Sequence, residues 1–152
     1  MEETIFKSIT ESDLQTEQCG ADFARYLLER EAFSPCAVVA MFGDLGVGKT
    51  AFVRGAASVL APKALVHSPT YTIVNEYDAR CGKLFHFDMY RIFDEDELYS
   101  VGFWDYMEQK GAAFIEWSEN IKDALPSEYY SVHIQKAETV NERYVLVSKS
   151  FH

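Results

Sequence analysis

The sequence predicts an α/β fold: one domain with a mixed parallel and antiparallel sheet flanked by helices. Three observations lead there. Amphipathic helical segments alternate with extended ones in the first half of the chain. Ala37-Val38-Val39-Ala40-Met41-Phe42 is a continuous apolar run, the pattern of a parallel strand buried on both faces. Extended segments then dominate the second half, which adds antiparallel partners to a parallel centre. The chain has 152 residues, the ordinary size of one domain over residues 1–152. Hydrophobic residues make up 48%, enough for one core, and 11 Phe, 9 Tyr and 2 Trp should make that core aromatic.

Each element has its own signal. Thr4-Ile5-Phe6-Lys7-Ser8-Ile9 alternates as a short strand. Ser12 is placed to cap a helix running to about Arg30, with Leu14, Cys19, Phe23, Tyr26 and Leu27 on its buried side. The apolar run at 37–42 stops at a glycine-rich turn, and a second amphipathic helix follows from Thr50 to about Leu60. Tyr71 to Tyr77 and Leu84 to Phe87 flank the turn-like stretch Asp78 to Gly82, predicting a β-hairpin. Asp94 to Val101 reads as a short acidic helix whose charged face is solvated. Ala112-Ala113-Phe114-Ile115 is another buried strand, ended by Glu116-Trp117. Ser118 to Leu125 predicts a short helix before Pro126. Strands near Tyr129 to Gln135 and Tyr144 to Val147 complete the series.

Composition narrows the function. Lys and Arg total 14 against a formal net charge of −10. Nucleic-acid affinity comes largely from neutralising phosphates with a basic patch, so unaided RNA or DNA binding is not expected. An acidic surface suits solubility or a basic partner. Cys19, Cys36 and Cys81 lie too far apart for a metal motif, and their odd number fits no closed disulfide set; reduced core thiols are expected. Met1-Glu2-Glu3 is acidic and no apolar run is long enough to span a bilayer. Neither a signal peptide nor a membrane span is expected, and a cytoplasmic location follows.

The chemistry starts at the turn. Gly43-Asp44-Leu45-Gly46-Val47-Gly48-Lys49-Thr50 matches G-x-x-x-x-G-K-[ST]. Glycines let the backbone curl so that successive N–H groups face phosphate oxygens, and the helix that follows adds its positive N-terminal end. Lys49 reaches the β- and γ-phosphates; the Thr50 hydroxyl can ligate Mg²⁺. The motif follows a strand and opens a helix, as its mechanism requires. This predicts a P-loop NTPase domain binding ATP or ADP with Mg²⁺, the nucleotide resting on Asp44, Leu45, Gly46, Val47, Gly48, Lys49, Thr50 and Ala51.

Such a site needs an acidic residue at a neighbouring strand end. Two apolar runs end that way, Phe85-His86-Phe87-Asp88 and Phe114-Ile115-Glu116. Either carboxylate could hold the metal or orient water; either could also be a surface group, or a helix cap in the case of Asp88. His86-x-Asp88 lacks the further ligands of a zinc site, so His86 reads as structural. Ser68-Pro69-Thr70 is either a turn or a switch loop sensing the γ-phosphate. Arg54 and Arg91 are the arginines nearest these motifs, placed to stabilise charge or to pair with a carboxylate.

Taken in order, the phosphate loop, Ser68-Pro69-Thr70-Tyr71, His86-Phe87-Asp88-Met89-Tyr90-Arg91 and Ile115-Glu116-Trp117 resemble the TsaE family. Phe52-Val53-Arg54-Gly55, Val74-Asn75-Glu76-Tyr77 and Thr16…Gly20 extend the resemblance over nearly the whole chain. It implies a small Mg²⁺-dependent ATPase needed for the threonylcarbamoyladenosine modification of tRNA. The implied partners are the TsaD and TsaB proteins, with tRNA met only indirectly through the TsaD–TsaB complex. It implies Glu116 as a metal ligand with Thr50, Asp88 as the residue orienting water, and Thr70 as part of a switch. Trp117 and, further off, Thr16 would lie near the nucleotide. Three positions depart from the family pattern: Ala51 stands where a threonine is frequent, Tyr71 where phenylalanine is common, and Ser118 where proline is usual. None removes a phosphate or metal group.

Two other functions share a phosphate loop. A small-molecule kinase would carry an arginine-bearing lid, and no arginine-rich insertion occurs here. A nucleotide-dependent binding module with incidental hydrolysis would have the same motifs.

Overall fold

The structure is a computed structural model that describes residues 1–44, 46–69 and 72–151. Its centre is a seven-stranded sheet in the order β1-β7-β6-β2-β5-β4-β3. The strands are β1 (Glu2–Thr10), β2 (Cys36–Phe42), β3 (Val74–Ala79), β4 (Gly82–Asp88), β5 (Gly111–Glu116), β6 (Glu128–Lys136) and β7 (Arg143–Phe151). β2, β4, β5 and β6 run parallel to their neighbours within the centre, while β1 and β7 on one side and β3 on the other pair antiparallel. The mixed sheet read from the sequence is therefore the one observed.

The apolar runs sit in the middle because both faces there are covered. Residues alternate across a strand with period two. Val39 and Met41 of β2, with Phe114 of β5 and Leu84 of β4, face α1 (Asp13–Glu29) and α2 (Lys49–Leu60). Val38, Ala40, Phe85, Phe87 and Ile115 face the other way. There they meet α3 (Glu95–Ser100), α4 (Phe103–Met107) and a 3₁₀ helix over Ser118–Ala124. Phe23 of α1 packs its ring edge against Tyr130 and Phe114, with centroids 5.5 and 6.4 Å apart.

Ser12 caps α1, its hydroxyl accepting the Gln15 N–H at 3.2 Å. The buried stripe runs through Thr16, Cys19, Gly20, Phe23, Ala24 and Leu27. Leu14, expected on that stripe, is 76% exposed instead. It lies two residues before Thr16, about 200° around the helix, and so points to solvent. The hairpin turn is tighter than expected: the β3–β4 ladder continues to Ala79 opposite Gly82, leaving Arg80 and Cys81 as the loop. Strand β3 begins at Val74; Tyr71, expected to start it, lies outside the described residues. β7 is longer than its apolar segment because β1 and β6 both pair with it along its length, and the ladder carries it through Ser148, Lys149 and Ser150. Helix α4 had no clear periodic signal, being only five residues long.

All three cysteines are free. Burial pushes the Cys36 thiol up to about 12 and raises Cys19 and Cys81 as well, which makes all three poor nucleophiles. No helix among the described residues is long and apolar enough to cross a membrane.

α1 and α2 meet through glycine. A Cβ on Gly20 would lie 2.0 Å from the Phe52 carbonyl oxygen, and one on Gly55 would lie 1.8 Å from that of Glu17. Both obstacles are backbone, so neither can swing aside. Since α2 carries the phosphate loop at its start, this contact sets the loop's height above the sheet. Gly55→Ala gains up to about 1 kcal/mol of helix propensity, yet it forces the helices apart at a cost of about 3 kcal/mol or more. We expect a net loss of stability, seen as a Tm lowered by several degrees in thermal unfolding followed by circular dichroism, with Gly20→Ala behaving alike.

Candidate nucleotide site

β2 delivers the chain to the phosphate loop at the carboxyl end of the parallel strands. Gly43, at φ 146°, passes so close to β6 that a Cβ would sit 2.3 Å from the Ile134 carbonyl oxygen. Gly46 and Gly48 also hold positive φ, at 78° and 108°, where residues with a Cβ are strained. Two distant side chains pin the loop. Glu119 of the 3₁₀ helix accepts the Gly43 N–H at 3.0 Å, and Arg143 of β7 donates its Nε–H to the Val47 carbonyl at 3.1 Å. The Val47 side chain is buried beneath, so its contribution to the site is backbone.

Lys49 starts α2 with its ammonium nearly buried. It donates to the Gly43 carbonyl and lies 3.8 Å from the centre of the Trp117 ring. Burial pulls its pKa below the ordinary lysine value, against the attraction of Glu116, Glu119, Asp88 and Asp44. The Thr50 hydroxyl donates to Glu116 Oε2 at 2.9 Å.

β4 and β5 place the two carboxylates side by side. They pair in parallel with Asp88 opposite Glu116. Leu84, His86 and Asp88 fall on one face of β4, and Ala112, Phe114 and Glu116 on the same face of β5, which is the face under α2. Glu116 is buried and receives His86 Nε2 as well as Thr50. Asp88 is half-buried, and its Oδ1 accepts the Tyr90 N–H at 2.9 Å. Trp117 follows with φ 60°, a left-handed conformation for a bulky residue, and its ring meets Tyr90 at 5.0 Å between centroids. Ser118, where proline was the expected pattern, is fully buried; it donates to the Ile115 carbonyl at 2.7 Å and accepts the Met41 N–H at 3.2 Å, tying β5 to β2.

These residues line a cleft of about 310 Å³ with Gly46, Gly48, Lys49, Thr50, Ala51, Asp88, Glu116 and Trp117 in its wall. Asp44 is exposed beside it. Thr16 lies underneath: it is 1% exposed, bonds Thr10 hydroxyl to hydroxyl at 2.8 Å, and its methyl would pack at 3.5 Å against a Cβ at Gly48. Asp13, Arg54 and Ser68 complete the lining, and Arg54 also pairs with Glu17 at 3.4 Å. Leu45 and Thr70 lie outside the described residues. Sequence reasoning missed Asp13, Glu119, Arg143 and the part played by His86. Only His86 carried a local signal, its period-two alignment with Asp88.

The donor set fits Mg²⁺. Thr50 and Glu116 bring two hard oxygens together, with Asp88 one strand away. Among the described residues no three acidic, histidine or cysteine side chains converge into a self-sufficient metal site. Mg²⁺ takes one or two protein oxygens and fills its octahedron with phosphate and water.

A buried parallel strand, a glycine-rich loop and a helix opened by Lys-Thr, faced by carboxylates on the adjoining strand ends, define an α/β protein of the P-loop class. The sequence model of the family "Threonylcarbamoyl adenosine biosynthesis protein TsaE" matches residues 10–145. The chain is 38% identical over 115 residues to the tRNA threonylcarbamoyladenosine biosynthesis protein TsaE of Haemophilus influenzae, covering 76% of this chain and 72% of that one. It is 36% identical over 122 residues to the protein of the same name from Aquifex aeolicus, covering 79% and 82%. The Bacillus subtilis protein of that name is 39% identical over 103 residues, 68% of this chain and 64% of its own length. The crystal structure of Bacillus subtilis YdiB superposes with a TM-score of 0.72 at 28% identity, over 97% of this chain and 86% of that one. The chain belongs to the TsaE family, as its four motifs had implied.

The Arg143 tie gives a test of the pinned loop. Arg143→Ala frees the Val47 carbonyl and should weaken ADP binding about 5- to 10-fold, ~1 to 1.4 kcal/mol, in isothermal titration calorimetry. Unchanged affinity would mean the loop holds its shape without β7.

Proposed function

We propose that this chain is a Mg²⁺-dependent ATPase that serves threonylcarbamoyladenosine modification of tRNA by acting on the TsaD–TsaB complex. The observation that carries the chemistry is the convergence of Lys49, Thr50, Asp88 and Glu116 at one strand end. The TsaE membership carries the pathway, and the resemblance carries the partners.

The loop N–H groups and the start of α2 receive the phosphates of ATP. Lys49 exchanges the Gly43 carbonyl for the β- and γ-phosphate oxygens, a short movement of one flexible side chain. Thr50 and Glu116 hold Mg²⁺, which when bound neutralises charge developing on the phosphates. Asp88 accepts the Tyr90 N–H at Oδ1, and its other carboxylate oxygen orients the attacking water. Trp117 covers Lys49 and keeps bulk water from it. Thr16 holds the loop from below, and Thr70 supplies the switch. The acidic chain reaches tRNA through its partners, in the cytoplasm, and needs no basic face of its own.

Hydrolysis should be slow for the chain alone and rise with TsaD–TsaB. Lys49→Ala should weaken ATP binding at least tenfold. Asp88→Asn should keep ATP affinity within about threefold while slowing turnover by about 10²-fold or more, the share of a positioned base. Phosphate release assays with each protein decide this: a normal Asp88→Asn rate removes Asp88 from the chemistry, and no stimulation by the complex removes the partnership. Phosphate transferred to a metabolite instead would favour a kinase.

A further inference from the structure

His86 stands alone in an apolar stretch. Its strand neighbours Leu84, Phe85 and Phe87 are fully buried hydrophobic residues, and it is itself 0% exposed. Burying an imidazole there is costly unless it is hydrogen-bonded. Among the described residues its one polar contact is Nε2 with Glu116 Oε2, and its Nδ1 has no partner. A carboxylate oxygen only accepts, so the hydrogen of this bond lies on Nε2. A core that needed only volume would have placed another Leu or Phe at this position. The imidazole has one use, and that use is Glu116.

The bond falls on the same oxygen that accepts from Thr50. Two donors from different elements, one on β4 and one on α2, fix that oxygen and with it the carboxylate plane. A glutamate has three rotatable side-chain bonds, and ordering such a side chain costs entropy when a ligand must do it. We infer that His86 is a positioning residue: it holds the Glu116 carboxylate in its binding rotamer before the cation arrives, so that divalent-cation affinity depends on an imidazole outside the ligand set. This rests on the reading of Glu116 as a metal ligand. It assigns to His86 a role separate from those of Asp88 and Lys49, which lie in the cleft while His86 does not.

The test compares two substitutions of equal polarity. The amide nitrogen of His86→Gln reaches the place of Nε2; that of His86→Asn stops short of it. Mn²⁺ serves as the probe, its binding to the ADP complex of the full chain read by electron paramagnetic resonance of the free ion. His86→Asn should weaken Mn²⁺ about tenfold, and His86→Gln should recover it to within about threefold. ADP affinity without metal should change less than threefold in both. In a Glu116→Gln background, His86→Asn should cost nothing further. Equal Mn²⁺ affinity for the Gln and Asn variants, with both folded by circular dichroism, overturns the proposal, as does an undiminished effect in the Glu116→Gln background. Failure of the underlying reading looks different: Glu116→Gln alone would then leave Mn²⁺ affinity as in the unsubstituted chain.

Discussion

The hydrogen bond from Thr50 to Glu116 joins the first turn of α2 to the last residue of β5, and the site exists only while it can form. Three constraints meet in it. The β2–β5 register, Ala40 opposite Ile115, brings both strands to an end within one residue of each other. The period of two then decides which side chain faces α2. A slip of one residue would turn Ile115 toward the loop and Glu116 into the opposite core, where a carboxylate would be buried among Phe87 and Phe103. The glycine contact between α1 and α2 sets how near α2 comes to that face. Register, alternation and helix height are each properties of the core, and the site inherits its precision from them.

Electrostatics run against the fold at this point. Lys49 is a nearly buried cation, and burial lowers its pKa despite four carboxylates nearby. Because the unfolded chain holds that proton more tightly, charging Lys49 in the folded state weighs against stability at neutral pH, and the penalty is relieved as pH rises toward the ordinary lysine value. A bound phosphate would reverse the sign by giving the ammonium a close anion. The same carboxylates would repel that phosphate. On the proposed reading Glu116 and Thr50 would hold Mg²⁺, whose charge would offset that of Glu116 and leave Lys49 to the phosphates. Sites that store cost in this way are where functional groups are found.

Much of this was legible in the sequence, and for a reason. The strand, loop and helix around Lys49 are contiguous, so their physics is written in consecutive residues. Asp88 and Glu116 could be picked out because each ends an apolar run, but nothing local said that the runs pair in parallel with those two residues opposite each other; that fact belongs to the sheet. Leu14 was misplaced because a helix start leaves too few turns to fix the stripe's phase. Glu119 and Arg143 were invisible because they reach the loop across 76 and 96 residues and carry no motif of their own. His86 was read as a structural histidine; it is buried, as that reading requires, but its hydrogen bond goes to the site.

The long-range ties have a common direction. Glu119 comes from the 3₁₀ helix that follows Trp117, and Arg143 from the start of β7, so both the first and the fifth residues of the loop, Gly43 and Val47, are held from the far half of the chain. A phosphate loop that used only its own glycines would have to pay the ordering entropy of positive-φ backbone each time a nucleotide bound. Here the ordering is met during folding, by side chains whose other anchors are strands and helices of the core. Trp117 keeps its left-handed backbone for the same reason: Ser118, the residue after it, is bonded to β2 and β5, and Asn120 donates to the Met89 carbonyl at 2.8 Å, so the strained turn is over-determined. The strain places an indole over Lys49 that an extended residue at this point would direct elsewhere.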